Sequence, residues 1–314
     1  LKLFVVCTLV LIMAIPAMFI SYISFERSNR ANDVTREVSE RYGGAQSLMG
    51  PILSIPYHIT KGNEVIESGD YIIFPEKGQA DFSDVSVDIK KRSLFKVPVY
   101  HAKGILSAEF PPINRKALDA SRTMYWNQAR ILVSISDGRG LKDDIYLEHG
   151  QKKIKFEPAF IDGHIGEAVH DYAFAKGATK HAFLEERMSG TFLSVPASQL
   201  LRNGAPLKVS ARFELGGASN LSIYPFAKST RIQMKSSWPT PGFHGAFPPA
   251  EHDITADGFT ANWSVPYLAR GIIGEGPSQS LNMYAGGNKA MTVKFVSDLD
   301  PYRTVNRSLK YAVM

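Results

Sequence analysis

The chain has 314 residues, 44% of them apolar and 21% charged, with 36 basic against 30 acidic residues and a formal charge of +6. Such a composition excludes disorder, and a basic excess so small and scattered excludes a nucleic-acid partner; its densest points are Lys90-Lys91-Arg92 and Lys152-Lys153 with Lys155. The single cysteine, Cys7, excludes an intrachain disulfide and any zinc site built from paired cysteines.

Leu3 to Phe25 is a run of 23 residues without a charge. As a helix it reaches ~34 Å, enough for a ~30 Å hydrocarbon core. Pro16 falls mid-span, which membrane helices tolerate. The rival reading is a cleaved secretory signal, whose apolar stretch is only about 7–15 residues and ends in a small-x-small site. Ala14 and Ala17 have the wrong spacing for that site. Residues 1–25 are therefore assigned as a transmembrane helix, with the lipid bilayer as partner. Charge gives a conflicting orientation. Lys2 alone precedes the run, whereas Arg27, Arg30, Arg36 and Arg41 follow it. By the positive-inside rule alone, the domain after the helix would be cytoplasmic. The first residue is Leu1, and the expectation is that a true start with further basic residues precedes it.

Beyond the apolar run, Ala31, Val34, Val38 and Tyr42 keep a 3–4 spacing among charged residues. This predicts an amphipathic helical stalk over 26–43, stopped by Gly43-Gly44. From there the period changes to two. Val85, Val87 and Ile89 alternate with polar residues, as do Ile131, Val133 and Ile135, and the run from Leu207 to Leu215. Thr230, Ile232 and Met234 continue the pattern, then Phe259 to Val265, then Met291, Val293 and Phe295. Turn signals separate the runs: Lys61-Gly62-Asn63, Asp137-Gly138-Arg139-Gly140, Arg202-Asn203-Gly204 and Gly286-Gly287-Asn288. The expected fold is mainly β, a large antiparallel β-sandwich or supersandwich over 44–299. Short helical turns are expected at Asp119–Met124 and Ala197–Leu201. Asp300-Pro301 starts a final helix over 300–314, leading back towards a membrane whose later helices the sequence does not include.

No arrangement of residues announces catalysis. His164, His170 and His181, with Asp162 and Asp171, match no metal-ligand spacing. No Gly-x-Ser-x-Gly elbow is present, and Asp137-Gly138 beside Ser134 and Ser136 is turn chemistry. Glu185-Glu186 are adjacent, so in a strand they point opposite ways. No catalytic residue, metal or cofactor is assigned. The most suggestive segment runs from Trp238 to Pro249. It carries Trp238, Phe243, His244 and Phe247 among prolines that stiffen it. Such a segment either displays aromatics to a glycan, a lipid headgroup or an envelope protein, or plugs the sheets.

Five segments stand out in order: Tyr42-Gly43-Gly44-Ala45-Gln46 running on to Tyr57, Ser134-Ile135-Ser136-Asp137-Gly138-Arg139-Gly140, Ser236-Ser237-Trp238-Pro239 running on to Pro248, Gly258-Phe259-Thr260-Ala261-Asn262-Trp263, and Asp300-Pro301-Tyr302 with Arg307 and Lys310-Tyr311-Ala312. Together they resemble the CreD family of inner-membrane proteins. Gly242 and Pro248 depart from the family pattern, which more often has serine and leucine there. The resemblance implies a membrane helix, a periplasmic domain and several later membrane helices. It also implies a role in envelope stress under a two-component system, with no catalytic residues to carry over. The functional expectation is a non-catalytic binding or scaffolding protein of the inner membrane. The alternatives are a periplasmic enzyme or binding protein handling glycan or lipid, and a purely structural module.

Overall fold

The computed structural model describes residues 2–92, 95–119, 122–159, 191–201, 204–270, 274–278 and 289–295. His164, His170, His181, their neighbouring acids, Glu185-Glu186 and the expected helix over 300–314 lie outside the described residues.

The chain begins with helix α1 (Lys2–Arg41), which contains Pro16 and runs without a break from the apolar segment into the charged one. Phe4, Met18, Phe19, Ile20, Tyr22, Ile23 and Phe25 are all exposed, so apolar side chains surround the helix rather than striping it. Side chains 5–15 are outside the described set; among the described residues no helix is long and apolar enough to cross a membrane. The helix ends where Gly44 N–H donates to Ser39 O at 2.7 Å, with Gly43 and Gly44 both at positive φ.

Strands follow in quick succession: β1 (Gln46–Lys61), β2 (Glu64–Ile73), β3 (Lys77–Arg92) and β4 (Phe95–Phe110). After the short helix α2 (Arg115–Asp119) come β5 (Thr123–Met124), β6 (Arg130–Ile135), β7 (Tyr146–His149), β8 (Lys152–Lys155) and β9 (Glu157–Ala159). Next are β10 (Thr191–Pro196), β11 (Leu207–Ala218), β12 (Asn220–Ile223), β13 (Ser229–Ser236), β14 (Pro241–Gly245), β15 (Glu251–Thr255) and β16 (Gly258–Val265). Helix α3 (Tyr267–Arg270), β17 (Glu275–Pro277) and β18 (Met291–Phe295) complete the described elements.

The strands form two sheets. The first has the order β14-β18-β12-β1-β6-β10-β9, with β2 and β5 also paired to β1, and β17 to β2. The second has the order β15-β16-β13-β3-β4-β11-β7-β8. The protein is mainly β, as the alternation predicts, but its sheets are mixed. β12 runs parallel to β1, and β13 parallel to β3. Alternation reports which face of a strand is buried; it carries no information on the direction of the neighbour, so these two pairings escape a reading by period. Ile131–Ile135 corrects a second expectation. Leu132 and Ser134 are buried together with Ile131 and Val133, so β6 is covered on both faces rather than one. The helical turn expected at Asp119–Met124 lies earlier, as α2, and Thr123–Met124 pairs with His58 and Tyr57 as a strand.

One apolar cluster draws on both sheets, with Ile52, Leu53 and Val133 from the first and Phe82, Leu106, Phe213 and Trp263 from the second. Direct contacts cross between them: Tyr100 and Phe295 have ring centroids 5.0 Å apart. Each such side chain taken fully from water contributes roughly 1.5–3 kcal/mol. The second sheet bends where Phe82 and Ser83 of β3 stand opposite Gly104 of β4, a bulge between Asp81 and Asp84. The ring of Phe82 lies over the bare Cα, and a Cβ on Gly104 would fall 2.2 Å from Phe82 Cε1.

Gly104→Val should therefore overpack this bend. The expected loss is about 1–3 kcal/mol in urea unfolding, and a variant as stable as the parent would contradict the described packing.

Candidate functional site

The junction between helix and sheets is built around Gln46, a fully buried polar side chain. Its Nε2 donates to Gly43 O at 2.5 Å, at the end of α1, and to Asp137 O at 3.0 Å, in the loop after β6. Both amide protons are thereby used. Its Oε1 lies 3.2 Å from Ser136 Oγ, whose proton is shared with Ala45 O at 3.0 Å. The same Ser136 oxygen accepts from Ser47 N–H at 2.9 Å. Asp137 caps the following turn by accepting from Arg139 N–H, and the side-chain bond from Arg139 holds its carboxyl below the usual range. Segments this close need glycine. A Cβ on Gly43, at φ +92°, would lie 2.4 Å from Gly140 Cα.

Apolar and polar contacts extend this junction to the second sheet. Val34 and Val38 on one stripe of α1, with Tyr42 just past its end, pack on Val97 and Val99 of β4 and Ala218 of β11. Ala218 N–H donates to Gly44 O at 2.7 Å. Tyr100 OH of β4 donates to Asn220 O at 2.8 Å, and burial pushes that phenol's pKa up. An ion pair from Arg92 to Glu37, 2.8 Å apart and half exposed, adds little to a contact already made by packing.

The aromatic segment lies on the same row of the first sheet. Gln46 pairs with Leu221, Leu221 with Val293, and Val293 with Phe243. Across three strand spacings, that puts Phe243 roughly 14 Å from Gln46. Trp238 is buried, with its indole N–H donating to Thr240 O at 3.1 Å. Phe243 is half-buried and makes edge contacts with Phe259 at 5.7 Å and Trp263 at 5.8 Å, on the other sheet, and with His252 at 5.4 Å. Phe247 is half-buried against the core, while His244, Gly245 and Ala246 are exposed. Three of the four residues singled out in this segment thus hold it to the sheets, and His244 faces solvent. Phe243 and His244 lie on β14, which ends its sheet on one side.

Elsewhere the outer face of the second sheet carries an open depression of about 660 Å³, lined by Lys77, Gln79, Ser107, Glu109, Lys208 and Arg231 among others. Its carboxylates face bases: Glu109 lies 3.4 Å from Lys208, Glu148 3.6 Å from Arg212 and Glu76 2.8 Å from Lys228. Among the described residues, no group of His, Cys, Asp and Glu is placed to hold a metal ion. A half-buried polar knot joins Tyr57 to Glu67 and Ser54 to Asp70, with Arg122 over the Tyr57 and Tyr71 rings. Burial, then the bond to Glu67, raises the Tyr57 pKa, away from the range in which a general acid or base works at neutral pH.

The segments that meet at Gln46, together with those that frame Phe243, are the ones that resemble a known family, and a profile described as "Inner membrane protein CreD" matches residues 1–314. This chain belongs to the CreD family. The Inner membrane protein CreD of Escherichia coli K12 is 25% identical to it over 97% of the chain. The chain spans 63% of that relative's length. Among solved structures, M1 zinc metallopeptidases from Deinococcus radiodurans are similar at 7–8% identity over 71% of this chain and 42% of theirs, with TM-scores of 0.25 and 0.27.

Sequence reading reached Gln46 only as one letter in a motif. The available signal was a lone amide between a glycine pair and an apolar strand, with a second glycine-rich turn at Asp137–Gly140. Gln46→Leu keeps the volume but strands the Gly43 carbonyl, while Asp137 O keeps the bond from Gly140 N–H. The expected cost is about 1–3 kcal/mol in urea unfolding, and a loss below about 0.5 kcal/mol would show that the junction does not rest on this amide.

Proposed function

We propose that this CreD-family chain is a non-catalytic, membrane-anchored binding module whose α1 spans the inner membrane through Leu3–Phe25. Its β-rich domain stands on the periplasmic side, its two sheets packed as a sandwich. The observation that carries this reading is the continuity of α1. One helix passes from a segment clothed in exposed apolar side chains into a stripe docked on the domain. Apolar residues on all sides suit lipid, whereas a helix lying on a protein needs only one apolar stripe. The upward shift of Tyr57 and the paired carboxylates of the outer depression favour a module without catalysis over an enzyme.

The partner-binding element in this reading is the segment Trp238–Phe247. Trp238, Phe243 and Phe247 anchor it, and His244 with the outer edge of β14 meets an envelope protein, a glycan or a lipid. Its row leads across β18 and β12 to Gln46, so a partner engaged there bears on the strand that holds the membrane helix. The family's link to envelope stress fits such a relay.

Orientation is tested with the full-length protein carrying Cys7→Ala and His244→Cys, expressed in cells and probed as spheroplasts. A membrane-impermeant maleimide should label the intact spheroplasts; labelling only after lysis would place the domain in the cytoplasm and overturn this part of the reading. The binding surface is tested separately in intact cells. A photo-crosslinking residue at His244 should give one discrete adduct, and the same residue at Trp238 none. Identical patterns at the two positions would remove the segment as a binding element.

A further inference from the structure

The β3–β4 hairpin carries a cost that its packing does not explain. Lys91 of β3 and Lys96 of β4 stand directly opposite each other in the ladder, and both are exposed. Like charges so placed repel. Among the described residues neither meets a carboxylate, since Asp88 lies by Lys90 and Glu37 by Arg92. From Asp88 to Lys96 the hairpin holds four bases and one acid. The helix beside it is balanced instead: Glu26, Asp33 and Glu37 pair with Arg30, Arg36 and Arg41.

The same two lysines mark where the hairpin leaves the sandwich. On their face of the ladder, Val85 and Ala102 are buried, Val87 is half-buried and Ile89 is exposed. The opposite face is the one that α1 covers, at Val97 and Val99. Contacts with the helix give the hairpin its direction. Lys90 Nζ lies 5.9 Å from the Tyr42 ring centroid, and Arg92 pairs with Glu37 at 2.8 Å. The step from Lys90 to Arg92 thus follows the helix back from Tyr42 towards its apolar end.

From Glu37 to Phe25, the last residue of the apolar run, is twelve residues, or about 18 Å of helix. Lipid headgroups fill about 5–7 Å of that span. A lysine stem reaches about 6 Å. The gap left is about 5–7 Å, shorter than a Debye length of about 8 Å, so headgroup charge attracts the two lysines through water.

We propose that the Lys91–Lys96 end of this hairpin is a second membrane-facing contact, drawn to the phosphates of anionic phospholipids. It rests on the reading that α1 spans the bilayer. An attraction off the helix axis sets the tilt and rotation of the domain about α1, which the span by itself does not fix.

The test uses full-length protein with Ile89→Cys as its only cysteine, labelled with a fluorophore and reconstituted into vesicles that carry a headgroup quencher. Replacing about a third of the phosphatidylcholine by phosphatidylglycerol should raise the quenching at least about twofold. Lys91→Gln with Lys96→Gln should remove that rise, and Lys91→Arg with Lys96→Arg should keep it. Salt near 1 M, where the Debye length is about 3 Å, should remove it in every chain. Loss of the protein from phosphatidylcholine vesicles on a carbonate wash would overturn the span and this contact with it. A chain that stays embedded but whose quenching ignores phosphatidylglycerol, or rises equally in the Gln variant, overturns the contact alone.

Discussion

The carboxamide of Gln46 has two protons and spends both, on carbonyls that belong to the end of α1 and to the loop after β6. In a water-free position the Gly43 carbonyl would be expensive to leave bare, whereas Asp137 O also accepts from Gly140 N–H at 3.2 Å. The backbone at Gln46 is itself the first residue of β1, so one side chain fixes three segments at once. A fully satisfied polar network of this kind rigidifies what it joins. The helix is consequently not tethered to the domain by a linker; its last turn is part of the domain's own hydrogen bonding.

That constraint explains the distribution of the family-like segments. Tyr42–Tyr57 supplies the helix end, Gln46 and the central strand. Ser134–Gly140 supplies the serine, the carbonyl and the glycine that let the loop approach. The segment around Trp238 lies three strands away on the same row, and Gly258–Trp263 provides the rings against which Phe243 rests. Residues remote in sequence converge because they form one transverse line of contacts, from the N-terminal helix to an outer strand. The charged depression on the second sheet stands apart from this line, and its ion pairs resemble an ordinary solvated sheet face.

Much of this fold is legible in the sequence, and the reasons for the exceptions are physical. The strands at Leu207–Leu215, Thr230–Met234, Phe259–Val265 and Met291–Phe295 are all found, because one face is buried and period two registers that; Val85–Ile89 is found too, although its apolar face emerges to solvent at Ile89. The first strand is harder to read: β1 is buried on both faces through Leu48–Ile55, so it presents a continuous apolar run with no alternation. Parallel pairing of β1 with β12 and of β3 with β13 leaves no local mark. The segment around Trp238 could be found by its aromatics and prolines, yet which rings pack inward depends on β16, a strand the segment does not contain. The burial of Arg270 is invisible too, since one arginine after an apolar stretch looks like any surface base until the third dimension places Phe74 over it.

The parallel pairing of β1 with β12 also sets an order of events during synthesis. Gln46 finds Leu221 roughly 175 residues later in the chain, a separation that makes this contact slow to close. At ribosomal speeds of about 5–20 residues per second, β1 waits on the order of ten to thirty-five seconds for that neighbour. During the wait β1 has beside it in the sheet only its earlier neighbours β2, β5 and β6. A nascent chain that already carries an apolar N-terminal helix thus holds a bare hydrophobic strand beside it for a long interval. Such an interval favours a holding chaperone that releases β1 once the twelfth strand has emerged.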